Sequence, residues 1–169
     1  MAISAKPISK NDLTGILHNH ALFLDTVGKK GVFANLSYLA IEDFDFSYTD
    51  LSNIVIQGSN FSRCRFDNTN LAGVKIDNSG LAGSSFSQAT LTKCEIFKAD
   101  MKNVRFDDAV LVRTTFMYSI LTYASFQRAD LTRTIFADCD LSYCDFRGTD
   151  LDMTQFPDSK LVEIIKDND

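Results

Sequence analysis

Ala129-Asp130-Leu131-Thr132-Arg133 is followed by Thr134-Ile135-Phe136-Ala137-Asp138 and Cys139-Asp140-Leu141-Ser142-Tyr143, so a large apolar residue stands at every fifth place. Working outward from this stretch, the same phase holds without a break from Leu36, Ile41, Phe46 and Leu51 to Phe146, Leu151, Phe156 and Leu161. Two places before each of these centres the residue is usually small: Ser59, Cys64, Thr69, Ser79, Ala89, Ala99. Leu39, Phe44 and Ile54 are the bulky exceptions. A period of five suits neither the 3.6 of a helix nor the 2 of a strand, so the chain must turn a corner about every five residues. That is a solenoid with two inward residues on each side.

The number of sides follows from a second, longer period. Phe46, Phe66, Phe86, Phe106, Phe126 and Phe146 recur every twenty residues, as do Leu51, Leu71, Leu91, Leu111, Leu131 and Leu151. Ile56, Ile76 and Ile96 make a third column that differs from the Phe column over the same stretch. Twenty residues per coil at five per side gives four sides.

Segments such as Ala129-Asp130-Leu131-Thr132-Arg133 and Thr69-Asn70-Leu71-Ala72-Gly73 resemble the A(D/N)LXX motif of the pentapeptide-repeat family, from Ala34 to Leu161. The resemblance implies an all-β solenoid, the right-handed quadrilateral β-helix of that family. An open coil exposes unpaired backbone and an apolar ring, so both ends need closure. Ser9 to Val27 reads as an amphipathic helix with Leu13, Ile16, Leu17, Leu24 and Val27 on one face, capped by Ser9 and ended by Gly28. Lys29 and Lys30 suit its C-terminal end. At the other end Lys160 to Lys166, with Leu161, Ile164 and Ile165, reads as a short C-terminal helix that covers the last coil or joins two molecules. The expected organisation is a helical cap over 1–31, a β-helix over 32–158, and a capping or dimerisation segment over 159–169.

Composition limits the function. Of 169 residues, 45% are apolar, with 14 Phe and no Trp, which befits one well-filled core. A net charge of −5 lacks the basic footprint that nucleic acid or an anionic membrane demands. The start, MAISAKPISK, shows no signal-peptide core and no apolar run is long enough for a bilayer, so a cytoplasmic protein is expected, and the resemblance implies a bacterial one. Cys64, Cys94, Cys139 and Cys144 all fall at the small inward position and read as buried thiols; none has metal-ligand spacing. His18 and His20, two residues apart on a helix, point away from each other and cannot share a metal. There is no glycine-rich phosphate loop; Gly58, Gly73, Gly83 and Gly148 read as corner residues. With no histidine in the repeats and no nucleophile beside a base, no catalytic residue, cofactor or metal is expected.

The outward positions carry what is left. Most are polar, but Val55, Phe97, Met117, Tyr118, Ile120 and Ile135 make an apolar candidate patch on and beside the side centred on Ile96, Phe116 and Phe136. Lys93, Arg113 and Arg133 recur at one corner as a weaker anion-strip candidate, with Asp130, Asp150 and Asp152 on the same side as expected neutralisers. The expected function is a regulatory, non-catalytic scaffold that binds another protein through one face, or forms a homodimer through the patch or the C-terminal segment. The alternative implied by the resemblance is a DNA mimic that inhibits DNA gyrase or protects it from drugs. Each side comes within two charges of neutral, unlike the phosphate ribbon such a mimic copies.

Overall fold

The computed structural model describes residues 5–167; the outermost parts of the two expected terminal segments, residues 1–4 and 168–169, lie outside the described residues. The chain is a β-solenoid with one N-terminal helix. Strand β1 (Lys6–Pro7) leads into helix α1 (Lys10–Asp25) and strand β2 (Leu39–Ala40); then come β3 (Val55–Gln57), β4 (Lys75–Asp77), β5 (Glu95–Phe97), β6 (Thr115–Met117) and β7 (Ile135–Ala137). The last five form a parallel sheet in which each residue pairs with the one twenty places on, as in Ile76↔Ile96 and Ile96↔Phe116. The other three sides repeat the step in single bridges, such as Asp45↔Arg65, Asp50↔Asn70 and Asn60↔Gly80.

The fifth-position residues from Leu36 to Phe146 are buried in four columns, while Leu151 and Phe156 are half-buried and Leu161 is exposed at the open end. In the Phe column, rings stack at 4.7 Å between Phe46 and Phe66, 4.7 Å between Phe66 and Phe86, and 5.2 Å between Phe86 and Phe106. The small position is occupied for a reason beyond volume. Ser84 Oγ donates to Phe61 O at 2.6 Å and Thr134 Oγ1 to Leu111 O at 2.7 Å, so each hydroxyl ties its coil to the previous one. The thiols of Cys64, Cys94 and Cys144 donate in the same slot, to Ile41, Leu71 and Leu121 carbonyls.

One side alone becomes a three-residue strand, and its corner lacks the backbone turn found on the others. On the other sides the residue two places before the next centre folds back in a β-turn, as Cys64 N–H to Phe61 O (3.2 Å), shared with Ser84 Oγ of the next coil (3.0 Å), or Val74 N–H to Leu71 O (3.1 Å). After β3, Ser59 N–H instead donates to Ser79 Oγ of the next coil (3.2 Å), and Ala99 N–H does the same to Ser119 Oγ (3.1 Å). Freed from the turn, the strand runs on. Ser159 has no following coil and returns to the turn, bonding Phe156 O at 3.3 Å.

The C-terminal helix is not formed; this expectation is corrected. Residues after Ser159 continue the coil: Lys160 bridges Asp140 and Ile165 bridges Asp145, with Ile165 N–H on Cys144 O at 2.8 Å. Leu161, Ile164 and Ile165 have helical spacing, but Leu161 and Ile164 are also in phase with the repeat. The open edge of the preceding coil offers backbone partners that a seven-residue helix, marginal by itself, cannot match. Leu161, Val162 and Ile165 remain exposed there.

At the other end α1 closes the solenoid. Ser9 Oγ accepts Asp12 N–H as the cap, and Gly28 N–H, at φ 79°, bonds Phe23 O at 2.8 Å beyond the last turn. Leu13 is buried, with Ile16 and Leu17 packed against the core. Val27 departs from expectation: it lies past the helix at φ 51° and is 89% exposed. His20 is the buried residue in that region, 1% exposed, its Nδ1 accepting Ala34 N–H at 3.2 Å. Strand β1 adds a parallel pairing on β2, with Lys6 N–H on Tyr38 O at 2.8 Å.

Candidate protein-interaction face

The β3–β7 sheet has one residue inward at each strand centre and two outward. The first outward row reads Val55, Lys75, Glu95, Thr115, Ile135; the second reads Gln57, Asp77, Phe97, Met117, Ala137. Phe97 and Met117 are register partners on adjacent coils, both only partly exposed. The Phe97 ring meets Tyr118 edge-on at 5.5 Å, and Lys98 Nζ lies over the same Phe97 ring, 4.8 Å from its centroid. Tyr118 and Ile120 are exposed at and beyond the corner. Ile135 stands diagonally across from Met117 in the other row. Val55 is not brought to this group: Lys75 separates it from Glu95 in its own row, and Phe97 lies on the coil beyond Lys75.

Two more exposed aromatics stand at the far corner of the neighbouring side, centred on Leu121 and Leu141. Tyr123 and Tyr143 occupy one corner on successive coils and stack at 4.8 Å with 9° between their planes. Their separation by one coil length was the available signal.

On the opposite edge of the sheet Lys93, Arg113 and Arg133 are exposed at equivalent corners, with φ of 60°, 58° and 58°. Among the described residues no ion pair joins this row to Asp130, Asp150 or Asp152. Asp130 Oδ1 instead accepts Thr132 N–H at 3.0 Å, and Asp150 Oδ1 accepts Asp152 N–H at 2.9 Å. Elsewhere charges are matched: Arg63 with Glu42 and Asp43, Arg65 with Asp45 and Asp67, Arg128 with Asp108, Arg147 with Asp145. These bonds hold Asp43 and Asp108 below the usual carboxylate range. Such exposed pairs add little stability, but they remove free acidic surface.

The chemistry-bearing residues do not converge. The four cysteines are free and buried; burial pushes Cys64 and Cys139 up to about 11 and Cys94 and Cys144 up to about 12. His18 is exposed and His20 faces the cap joint. Among the described residues no three His, Cys, Asp or Glu side chains gather as metal ligands.

Pentapeptide repeats are matched in eight copies over residues 45–79, 96–133 and 119–154. Among solved structures the chain is similar to QnrB1, a plasmid-mediated fluoroquinolone resistance protein, at 16% identity over 76% of this chain and 92% of that one, with a TM-score of 0.48. It is similar at 22% identity to a pentapeptide repeat protein of the Arabidopsis thaliana thylakoid lumen, over 63% of this chain and 70% of that one, TM-score 0.40. HetL, involved in heterocyst differentiation regulation in the cyanobacterium Nostoc sp., is 16% identical over 85% and 92%, TM-score 0.27. No curated protein matches the sequence.

Proposed function

We propose that this chain, which belongs to the pentapeptide-repeat family, is a non-catalytic, regulatory protein-binding module of the bacterial cytoplasm that docks its partner on the β3–β7 face. The observation that carries this reading is the pairing of Phe97 and Met117 on outward positions, continuous with Tyr118 and Ile120. Apolar side chains there do nothing for the core, which the inward columns already fill. Burying about 400 Å² of such surface would yield a gross of about 10 kcal/mol before association costs. Four unbridged thiols fit a reducing compartment. No helix among the described residues is long and apolar enough to cross a membrane. A second copy is one candidate partner, through this face or through the exposed C-terminal coil of Leu161, Val162 and Ile165.

Joint replacement Phe97→Ser and Met117→Ser tests the reading. The fold should survive, by circular dichroism and melting, while a partner captured from native lysate, or a dimer in sedimentation, is lost. Unchanged association, or unfolding, would refute it. Mimicry of DNA toward gyrase is supported less, because the carboxylates nearest to forming strips are tied to arginines. No salt-sensitive inhibition of supercoiling is therefore expected at micromolar protein; a clear one would reverse the order of the two readings.

A further inference from the structure

Resting on the reading of the β3–β7 face as a binding surface, we infer that the partner presents an acidic amphipathic helix parallel to the solenoid axis. Its carboxylates would lie on Lys93, Arg113 and Arg133 and its apolar stripe on Phe97 and Met117.

The cations come first. Every other arginine in the chain is engaged: Arg63, Arg65, Arg128 and Arg147 in ion pairs, and Arg105 with Ser85 Oγ at 3.2 Å. Arg113 and Arg133 make no ion pair or side-chain hydrogen bond among the described residues, and Lys93 makes none either. Three like charges thus stand about 4.8 Å apart, one per coil, with no ion pair to offset their repulsion. Thr90, Val110 and Asp130, then Thr92, Val112, Thr132 and Asp152, flank the row on one side, and Thr115 and Ile135 on the other; Asp152 lines a cleft with Arg133, yet neither aspartate forms an ion pair with the row. Glu95, the nearest carboxylate on the sheet, is held by Lys75 at 3.0 Å. An anionic ligand is the missing counterpart.

Geometry then selects the kind of ligand. The cation row and the Phe97–Met117 row are both columns of equivalent residues, so both run along the axis, and one element must contact them side by side. A helix repeats its face every ~5.4 Å, about 0.6 Å off the coil spacing, and over three coils the drift stays near 1 Å, which Lys and Arg side chains absorb. An extended strand repeats every ~6.7 Å and falls out of step after a single coil. A helix is also about 10–12 Å wide, enough to rest on one row and flank the other. Nucleic acid would satisfy the cations, but the chain is net −5, and Glu95, Asp130 and Asp152 beside the row oppose a long polyanion.

The test uses a displayed library of helical peptides of about 15 residues, long enough to pass three coils, with surface positions randomised. Selection on the intact protein should enrich Asp and Glu along one flank of an apolar stripe. The selected peptide should lose about tenfold or more in affinity on Arg113→Glu with Arg133→Glu, and again on Phe97→Ser with Met117→Ser, and should weaken with salt. Selection of basic or uncharged peptides, or indifference to charge reversal, would overturn the inference; if the Phe97 and Met117 changes still mattered, the binding face itself would stand. Equal binding of a short DNA duplex or of polyglutamate would reduce the row to a general anion strip and likewise overturn it. Failure to select any binder would overturn it together with the face.

Discussion

Cys144 Sγ donates to Leu121 O at 3.1 Å, across one coil, in the slot where Thr134 Oγ1 meets Leu111 O and Ser84 Oγ meets Phe61 O. The thiol therefore does a hydroxyl's work, and burial keeps it protonated, pushed up to about 12.

Replacement Cys144→Ser should accordingly be tolerated within about 1 kcal/mol, since the same bond is available to the smaller hydroxyl. In the native protein a thiol reagent such as Ellman's should react very slowly, because the thiolate is its target. After denaturation all four cysteines should titrate without reductant. Two or none would mean that bridges form, contrary to the structure.

Phe86 is 1% exposed and stacked between Phe66 at 4.7 Å and Phe106 at 5.2 Å. Phe86→Ala should cost about 3–5 kcal/mol by leaving a gap in the column. Phe86→Asp should prevent folding, as a carboxylate there has no partner and no water. Urea melts followed by circular dichroism would measure the first; retention of a cooperative transition in the second would contradict the stacked core.

Acid should loosen the N-terminal cap first. His20 is buried, which lowers its pKa; the charge of Asp50 opposes that shift only in part, and Asp25 and Tyr48 line the same cleft. Its Nδ1 accepts Ala34 N–H, so the folded state requires the neutral ring. The folded pKa is below the unfolded value, and the unfolded state takes up the proton first. The contribution to stability is therefore complete above about pH 6.5 and is lost as pH falls below it. Melting temperature measured from pH 7.5 down to 5 should drop in wild type and drop less in His20→Phe. Parallel curves would exclude His20 as the group responsible.

The solenoid, its four columns and the N-terminal helix were legible in the sequence because each depends on local phase. Whether Phe86 or Leu91 faces inward is decided by position within five residues, and which residues stack is decided by position within twenty. The candidate patch was legible for the same reason as far as Phe97, Met117, Tyr118 and Ile120. What remained hidden depends on groups brought together across coils. Ile164 and Ile165 carry helical spacing, and only the free edge offered by Cys139 and Cys144 carbonyls decides that their segment stays a coil. Val55 fits the apolar pattern, yet its coil neighbour is Lys75 rather than Phe97. His20 is polar by type, and its burial follows from where α1 meets Ala34. Asp130 and Arg133 share a side, but the aspartate accepts from its own turn at Thr132 and no ion pair joins the two. Inward or outward is a property of the chain's phase, whereas pairing and exposure are properties of side-chain reach between coils, and only the assembled tertiary structure sets that reach.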